Sequence, residues 1–145
     1  MPMHEDAREA LSYLEPENHV YLATVDGCLP RVRTITMMHW RGGLYFATDA
    51  ESDKVRQMEA NPNVEFLLPL RRGENTGYLR AQCTASRVTD PSLKEELFEA
   101  YAFMGKLWEG PHDPRLTIMH LTPSSLDYLR PGDWSSVKHP VQWPG

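Results

Sequence analysis

The chain has 145 residues, enough for a single domain spanning 1–145 whose core needs no disulfide or metal staple. Apolar residues make up 41% and charged residues 24%, which excludes disordered and collagen-like classes. The formal charge of −5 comes from interspersed acids and bases with no basic stripe, so nucleic acid is not an expected partner.

Met1 to Arg8 is polar and acidic, which predicts no signal peptide here. Ala7, Ala10, Leu11 and Leu14 follow helical spacing, and Glu15–Pro16 stops the run, so residues 1–16 read as a short amphipathic helix. His19 to Val25 is dense in β-branched and aromatic residues. Asp26–Gly27 is a strong hairpin signal, and Cys28 to His39 reads as the returning strand. After a turn at Arg41–Gly42–Gly43, Leu44 to Thr48 completes an antiparallel meander.

Ser52 to Ala60 reads as a helix with Ser52 as N-cap and Asn61–Pro62 as its stop. Val64 to Leu70 is a strand interrupted by Pro69, hence near an edge or bulge. Arg72 to Gly77 reads as a polar loop, and Tyr78 to Val88 as a long strand. Asp90–Pro91 opens a helix with Leu93, Leu97, Phe98, Tyr101 and Met104 on one face. Leu116 to Leu121 and then Leu126 to Leu129 supply the last strands, and residues 130–145 read as a loop or arm. About six short strands with two or three inserted helices predict a mainly β protein closed into a barrel, because closure removes exposed edges.

Cys28 and Cys83 match no metal or redox spacing, and both read as reduced, buried thiols of a cytoplasmic protein. No apolar run approaches the ~20 residues of a membrane helix. The six histidines show no metal spacing, so no metal is expected. Met37, Met38 and Met104 read as core. Trp108, Trp134 and Trp143 are candidates for packing, for a subunit interface, or for stacking on a planar ligand.

The chemistry concentrates between Pro30 and Lys54. Strand alternation puts Arg31 and Arg33 on one face with Ile35 and Met37, and Val32, Thr34, Thr36 and Met38 on the other. A guanidinium fork suits phosphate, because it can donate two parallel hydrogen bonds. Thr48 ends one strand and Ser52 begins the next helix, whose N-terminal N–H groups favour an anion. Lys54 sits in the first turn of that helix, where a cation opposes the helix dipole unless something negative lies beside it. Solvated surface charge would explain the same residues.

Several stretches, in this order, resemble the pyridoxamine 5′-phosphate oxidase-like FMN-binding split barrels, especially their short general-stress-protein branch. They are Leu22–Ala23–Thr24, Pro30–Arg31–Val32–Arg33, Leu44–Tyr45–Phe46–Ala47–Thr48, Ser52–Asp53–Lys54 and Asn61–Pro62–Asn63–Val64, followed by Tyr78–Leu79–Arg80–Ala81 and Val88–Thr89–Asp90. The resemblance implies a six-stranded antiparallel Greek-key split barrel that forms a homodimer with FMN at the interface. It also implies that Arg33 and Lys54 grip the FMN phosphate with Ser52 and Thr48, while the backbone of Thr34, Ile35 and Thr36 runs beside the isoalloxazine. The activity implied is transfer of hydride or electrons from a reduced donor to a small acceptor. Full-length oxidases of this kind carry Lys where this chain has Met38 and Arg where it has Asp53, and their substrate-binding extension is not recognisable in Pro131 to Gly145. A non-catalytic flavin-binding protein, a deazaflavin enzyme, and a haem protein using His39 or His120 are the alternatives.

Overall fold

The computed structural model describes residues 5–133, 139–141 and 143. Glu5–Leu11 forms α1, followed by the strands β1 (Glu17–Asp26), β2 (Leu29–Trp40) and β3 (Gly43–Asp49). Then come α2 (Asp53–Ala60), β4 (Asn63–Arg72) and β5 (Asn75–Arg87), the short helices α3 (Pro91–Ala100) and α4 (Met104–Leu107), and finally β6 (Leu116–Leu129) and β7 (His139–Val141). All ladders are antiparallel, in the order β3-β2-β1-β4-β5-β6, and β6 returns to pair β3 and close the ring. A fourth strand lying beside the first of a three-strand meander is the Greek-key order. This is the mainly β barrel that the strand pattern and the resemblance predict.

The first hairpin turn falls one residue later than the sequence puts it, at Gly27–Cys28, because Asp26 still pairs with Leu29. Gly27 has φ 62°, which a glycine adopts without steric cost, and the turn it makes sets β1 and β2 in register from Asp26↔Leu29 to Glu17↔Met38. Two ladders are incomplete. On its other side β2 pairs β3 only from Met38 to Trp40, so the backbone from Leu29 to Met37 has a strand partner on one side alone. Similarly, β1 meets β4 only at Tyr21–Ala23 against Glu65–Leu67.

The core has two parts. Val20, Leu22, Met37, Leu44, Phe46, Phe66 and Tyr128 are among the buried side chains filling the barrel. Met38, Leu97, Tyr101, Met104, Trp108 and Ile118 form a second cluster where α3 and α4 cover the outside of the sheet. Met37 and Met38 therefore both lie in the core, on opposite faces of one strand. Each fully buried aliphatic or aromatic side chain contributes about 1.5–3 kcal/mol, so both faces of β2 at this end are fixed by packing.

Several expectations need correction. The polar loop at Arg72–Gly77 is mostly strand: β4 runs to Arg72, β5 starts at Asn75, and Gly73–Glu74 is the turn. Pro123 does not split β6: the pairing passes from Ser125↔Gln82 to Pro123↔Cys83, so Ser124 is an extra, bulged residue on β6 and the strand continues on either side of it. Tyr101 and Met104 do not extend α3; Tyr101 is its C-cap, and Met104 begins α4. Cys28 is exposed, because it occupies the hairpin turn, whereas Cys83 is buried as expected. Part of the tail pairs with β6 as β7 rather than remaining loop. Trp143 packs against the barrel core, and Trp134 lies outside the described residues. No helix among the described residues is long and apolar enough to cross a membrane.

Candidate functional site

Arg33 projects from β2 toward the middle of α2, into a network built on three elements. Its Nη1 donates to Leu22 O at 3.2 Å and Thr24 Oγ1 at 2.8 Å, and its Nη2 donates to Gln57 Oε1 at 2.9 Å. Thr24 Oγ1 in turn donates to Gln57 Oε1 at 2.5 Å. Thr24 and Gln57 are both buried, so the acceptors holding the guanidinium are shielded from water.

Lys54 comes to the same place from the first turn of α2. Its Nζ donates to Thr48 Oγ1 at 2.9 Å, and Thr48 Oγ1 is 3.4 Å from Ser52 Oγ. Ser52 holds the N-cap position with extended backbone, but its side chain makes no capping bond, so its hydroxyl can still serve a ligand at this helix start.

Arg33 and Lys54 line one open pocket of about 530 Å³, together with Asp26, Arg31, Val32, Asp53 and Gln57. Both acids there are paired with Arg56, whose Nη1 is 3.6 Å from Asp26 and whose Nη2 is 3.7 Å from Asp53. The cations of Arg31, Arg33 and Lys54 therefore prevail. Burial lowers the Lys54 pKa from its ordinary value, and the Arg33 charge lowers it further. Arg33 is lowered likewise, by burial first and then by Arg31. Like charges gathered in a partly desolvated pocket favour an anion over water as their neighbour.

The structure thus brings together the four side chains singled out from sequence at the anion site: Arg33, Thr48, Ser52 and Lys54. Thr34, Ile35 and Thr36 follow Arg33 along the part of β2 that has no β3 partner, so backbone there retains hydrogen-bonding capacity on the pocket side of the strand. Ile35 packs its side chain against the barrel core, so only its main chain is available to a ligand. Sequence reasoning missed Thr24 and Gln57. The signal for Gln57 was present: it shares the buried face of α2 with Val55 and Met58, and a polar group on an apolar helix face needs a partner.

Other concavities lack this character. One of about 390 Å³ lies in the gap between β1 and β4 and reaches Cys83; another of about 670 Å³ lies against Asp49–Ser52, Pro114 and Arg115. The single cation of the latter, Arg115, is held by Asp113 at 2.8 Å. The other candidates are engaged elsewhere. His39 meets Trp143 edge-on at 6.2 Å, and His120 stacks on Tyr45 at 4.8 Å on the opposite face of the sheet. Trp108 is buried and donates to Asp49 Oδ1 at 3.1 Å, so its role is packing. Among the described residues, no group of three or more His, Cys, Asp or Glu could hold a metal ion.

Comparison with known proteins agrees with the fold. General stress protein 26 of Bacillus subtilis (strain 168) is 26% identical over 131 residues, covering 90% of this chain and 92% of that protein. The crystal structure of General Stress Protein 26 from Bacillus anthracis str. Sterne superposes with a TM-score of 0.74 at 25% identity, covering 88% of this chain and 96% of the other. A putative pyridoxamine 5′-phosphate oxidase from Listeria innocua gives a TM-score of 0.73 at 25% identity, over 86% and 98% of the two chains. The family model for pyridoxamine 5′-phosphate oxidase matches residues 5–130, nearly the whole described chain, and the protein belongs to that family.

Proposed function

We propose that this protein binds FMN, and that the bound flavin carries hydride or electrons from a reduced donor, such as a nicotinamide, to a small acceptor. The observation that carries the reading is the convergence of Arg33 and Lys54 on one pocket at the start of α2, with their neighbouring acids already paired to Arg56. A terminal phosphate matches that pocket in charge, in donor geometry and in its position at a helix N-terminus.

The residues present fit the cofactor. Arg33 and Lys54 would hold the phosphate, Ser52 and Thr48 would add hydroxyl contacts, and the unpaired backbone beside Thr34, Ile35 and Thr36 would meet the polar edge of the ring. The flavin supplies the redox chemistry when bound, while the protein supplies affinity, orientation and a desolvated wall. No nucleophile or general base is required of the chain, in keeping with a pocket lined by Arg31, Arg33 and Lys54 and by aspartates paired with Arg56.

The reading includes a homodimer of single-domain, cytoplasmic chains. Tyr21 and Val32 are 48% and 68% exposed on the outer face of the β1–β2 hairpin, next to the cationic pocket, an apolar strip suited to a second copy. The test is a titration of flavin-free protein with FMN and with riboflavin, followed by flavin fluorescence. Tight FMN binding with much weaker riboflavin binding supports the phosphate assignment, and failure to bind FMN overturns it. Turnover of NAD(P)H by the loaded protein then distinguishes an oxidoreductase from a flavin-binding protein without catalysis.

A further inference from the structure

We infer that Gln57, with Thr24, is a positioning residue that presents one particular edge of the Arg33 guanidinium to the anion. The inference rests on the FMN reading and adds to it a residue that acts through Arg33. A guanidinium has two hydrogen-bonding edges: an end formed by Nη1 and Nη2, and a side formed by Nε and Nη2. Thr24 Oγ1 and Gln57 Oε1, themselves joined by a 2.5 Å hydrogen bond, sit across the end edge, and Leu22 O takes the remaining Nη1 proton. Three donors are thereby consumed inside the protein. The Nε–H and the second Nη2–H remain, and together they form the side-on fork that grips two phosphate oxygens in parallel.

Gln57 is suited to this task because its amide is neutral. As an acceptor it fixes the guanidinium without cancelling the charge, so the full cation remains for the ligand. A carboxylate at the same position would orient Arg33 equally well but neutralise it. Arg33 is also a long side chain that loses rotamer freedom when it grips an anion, and holding it beforehand removes much of that cost from binding. The position in α2 makes the arrangement stiff: Gln57 is buried between Val55 and Met58 on the face that packs against the barrel.

The experiment compares Gln57→Glu and Gln57→Met with the wild type, measuring FMN and riboflavin affinity by fluorescence quenching and fold by circular dichroism and Tm. The expected result is a loss of FMN affinity of tenfold or more for Gln57→Glu and severalfold for Gln57→Met, with riboflavin affinity unchanged in both. A merely structural role would weaken both flavins together, and that outcome overturns the inference. So does a folded Gln57→Glu protein with wild-type FMN affinity. Should the Gln57 variants fail to fold, Thr24→Val removes the other end-edge acceptor with little change of shape and is read by the same ratio. Wild-type protein that binds no FMN defeats the underlying reading. Wild-type binding that Lys54→Ala weakens and the Gln57 and Thr24 variants do not defeats only the positioning role.

Discussion

Lys54 Nζ donates to Thr48 Oγ1 at 2.9 Å, which ties the first turn of α2 to the end of β3 and points the ammonium into the pocket that Arg33 shares. One charge-assisted hydrogen bond to phosphate contributes about 1.5–3 kcal/mol. Lys54→Ala is therefore expected to weaken FMN binding roughly tenfold or more and to leave riboflavin binding nearly unchanged, as read by fluorescence titration. Equal losses for the two ligands would remove Lys54 from the phosphate site. Because burial and Arg33 lower the Lys54 pKa, wild-type FMN affinity should also fall as pH rises toward lysine's ordinary 10.5, and the alanine variant should lack that slope.

The two thiols should differ sharply in reactivity. Burial, with a smaller push from Glu65, drives the Cys83 pKa up to about 12, so almost no thiolate forms near pH 8. Cys28 stands exposed in the hairpin turn. Iodoacetamide followed by mass spectrometry should label Cys28 in the native protein and Cys83 only after unfolding. Comparable native rates at both positions would contradict the burial of Cys83.

A polar cluster ties α1 to the end of β6, and it should make stability depend on pH. Glu9 Oε2 accepts from Tyr128 Oη at 2.7 Å and from Arg130 Nε at 2.7 Å. Donation from the Tyr128 hydroxyl, and then from Arg130, holds the Glu9 carboxyl below its ordinary 4.5. A depressed carboxyl stabilises the fold above its unfolded pKa, and that contribution disappears as pH falls through the folded value. Glu9→Gln should cost at most about 1 kcal/mol near neutrality, since about a third of the side chain stays in water and screens the pair. The difference in Tm from wild type should shrink below pH 4, and a gap independent of pH would show that Glu9 acts only by packing.

Two glycines in strand turns and ends should respond differently to alanine. A Cβ on Gly77 would run into the carbonyl oxygen of Leu129 and lie 2.8 Å from Pro131 N, both of them backbone atoms that cannot turn aside. Gly77→Ala should therefore splay the β5–β6 ladder and cost about 1–3 kcal/mol, a Tm loss of roughly 2–4 °C per kcal/mol. At Gly27 a Cβ meets nothing within 4 Å, and only the positive φ opposes it. Thermal melts of the two variants should rank Gly77→Ala as the more damaging, and the reverse order would refute the clash.

Local chemistry made much of this fold readable. Asp26–Gly27 announces its hairpin because few residues tolerate the turn's backbone, and Asp90 announces α3 by accepting from Ser92 N. What the sequence hid was decided by distant partners. The gap between Leu121 and Leu126 looks like a strand break, yet a bulge at Ser124 lets β6 run through it against β5. The spacing from Leu97 to Met104 suggests one helix, but the Tyr101 hydroxyl donates to Pro16 O at 3.0 Å and His39 O at 3.1 Å, anchoring the chain where the helix ends. In the pocket, Arg33 and Lys54 were legible as cations near a helix start. Gln57 carries no charge, so its only signal was a polar residue beside the apolar positions Val55 and Met58, and its partners Thr24 and Arg33 come from other elements.

The brief ladders of β1 with β4 and of β2 with β3 leave the ring with two weak welds, one on each side of the β1–β2 hairpin. The β1–β2 hairpin keeps its own ladder of ten residue pairs, so it can swing as a unit by releasing the three pairs that bind it to β4 and hinging at the three that bind β2 to β3. Breathing of the barrel should start at the joint with β4, where little cooperative structure resists it. Thr24 sits on the hairpin and Gln57 on the helix that stays behind, so each such excursion unlatches the guanidinium from one of its holders. An anion clamped between Arg33 and Lys54 would bridge the same gap from the other side, and ligand capture would then double as the rivet that closes the seam.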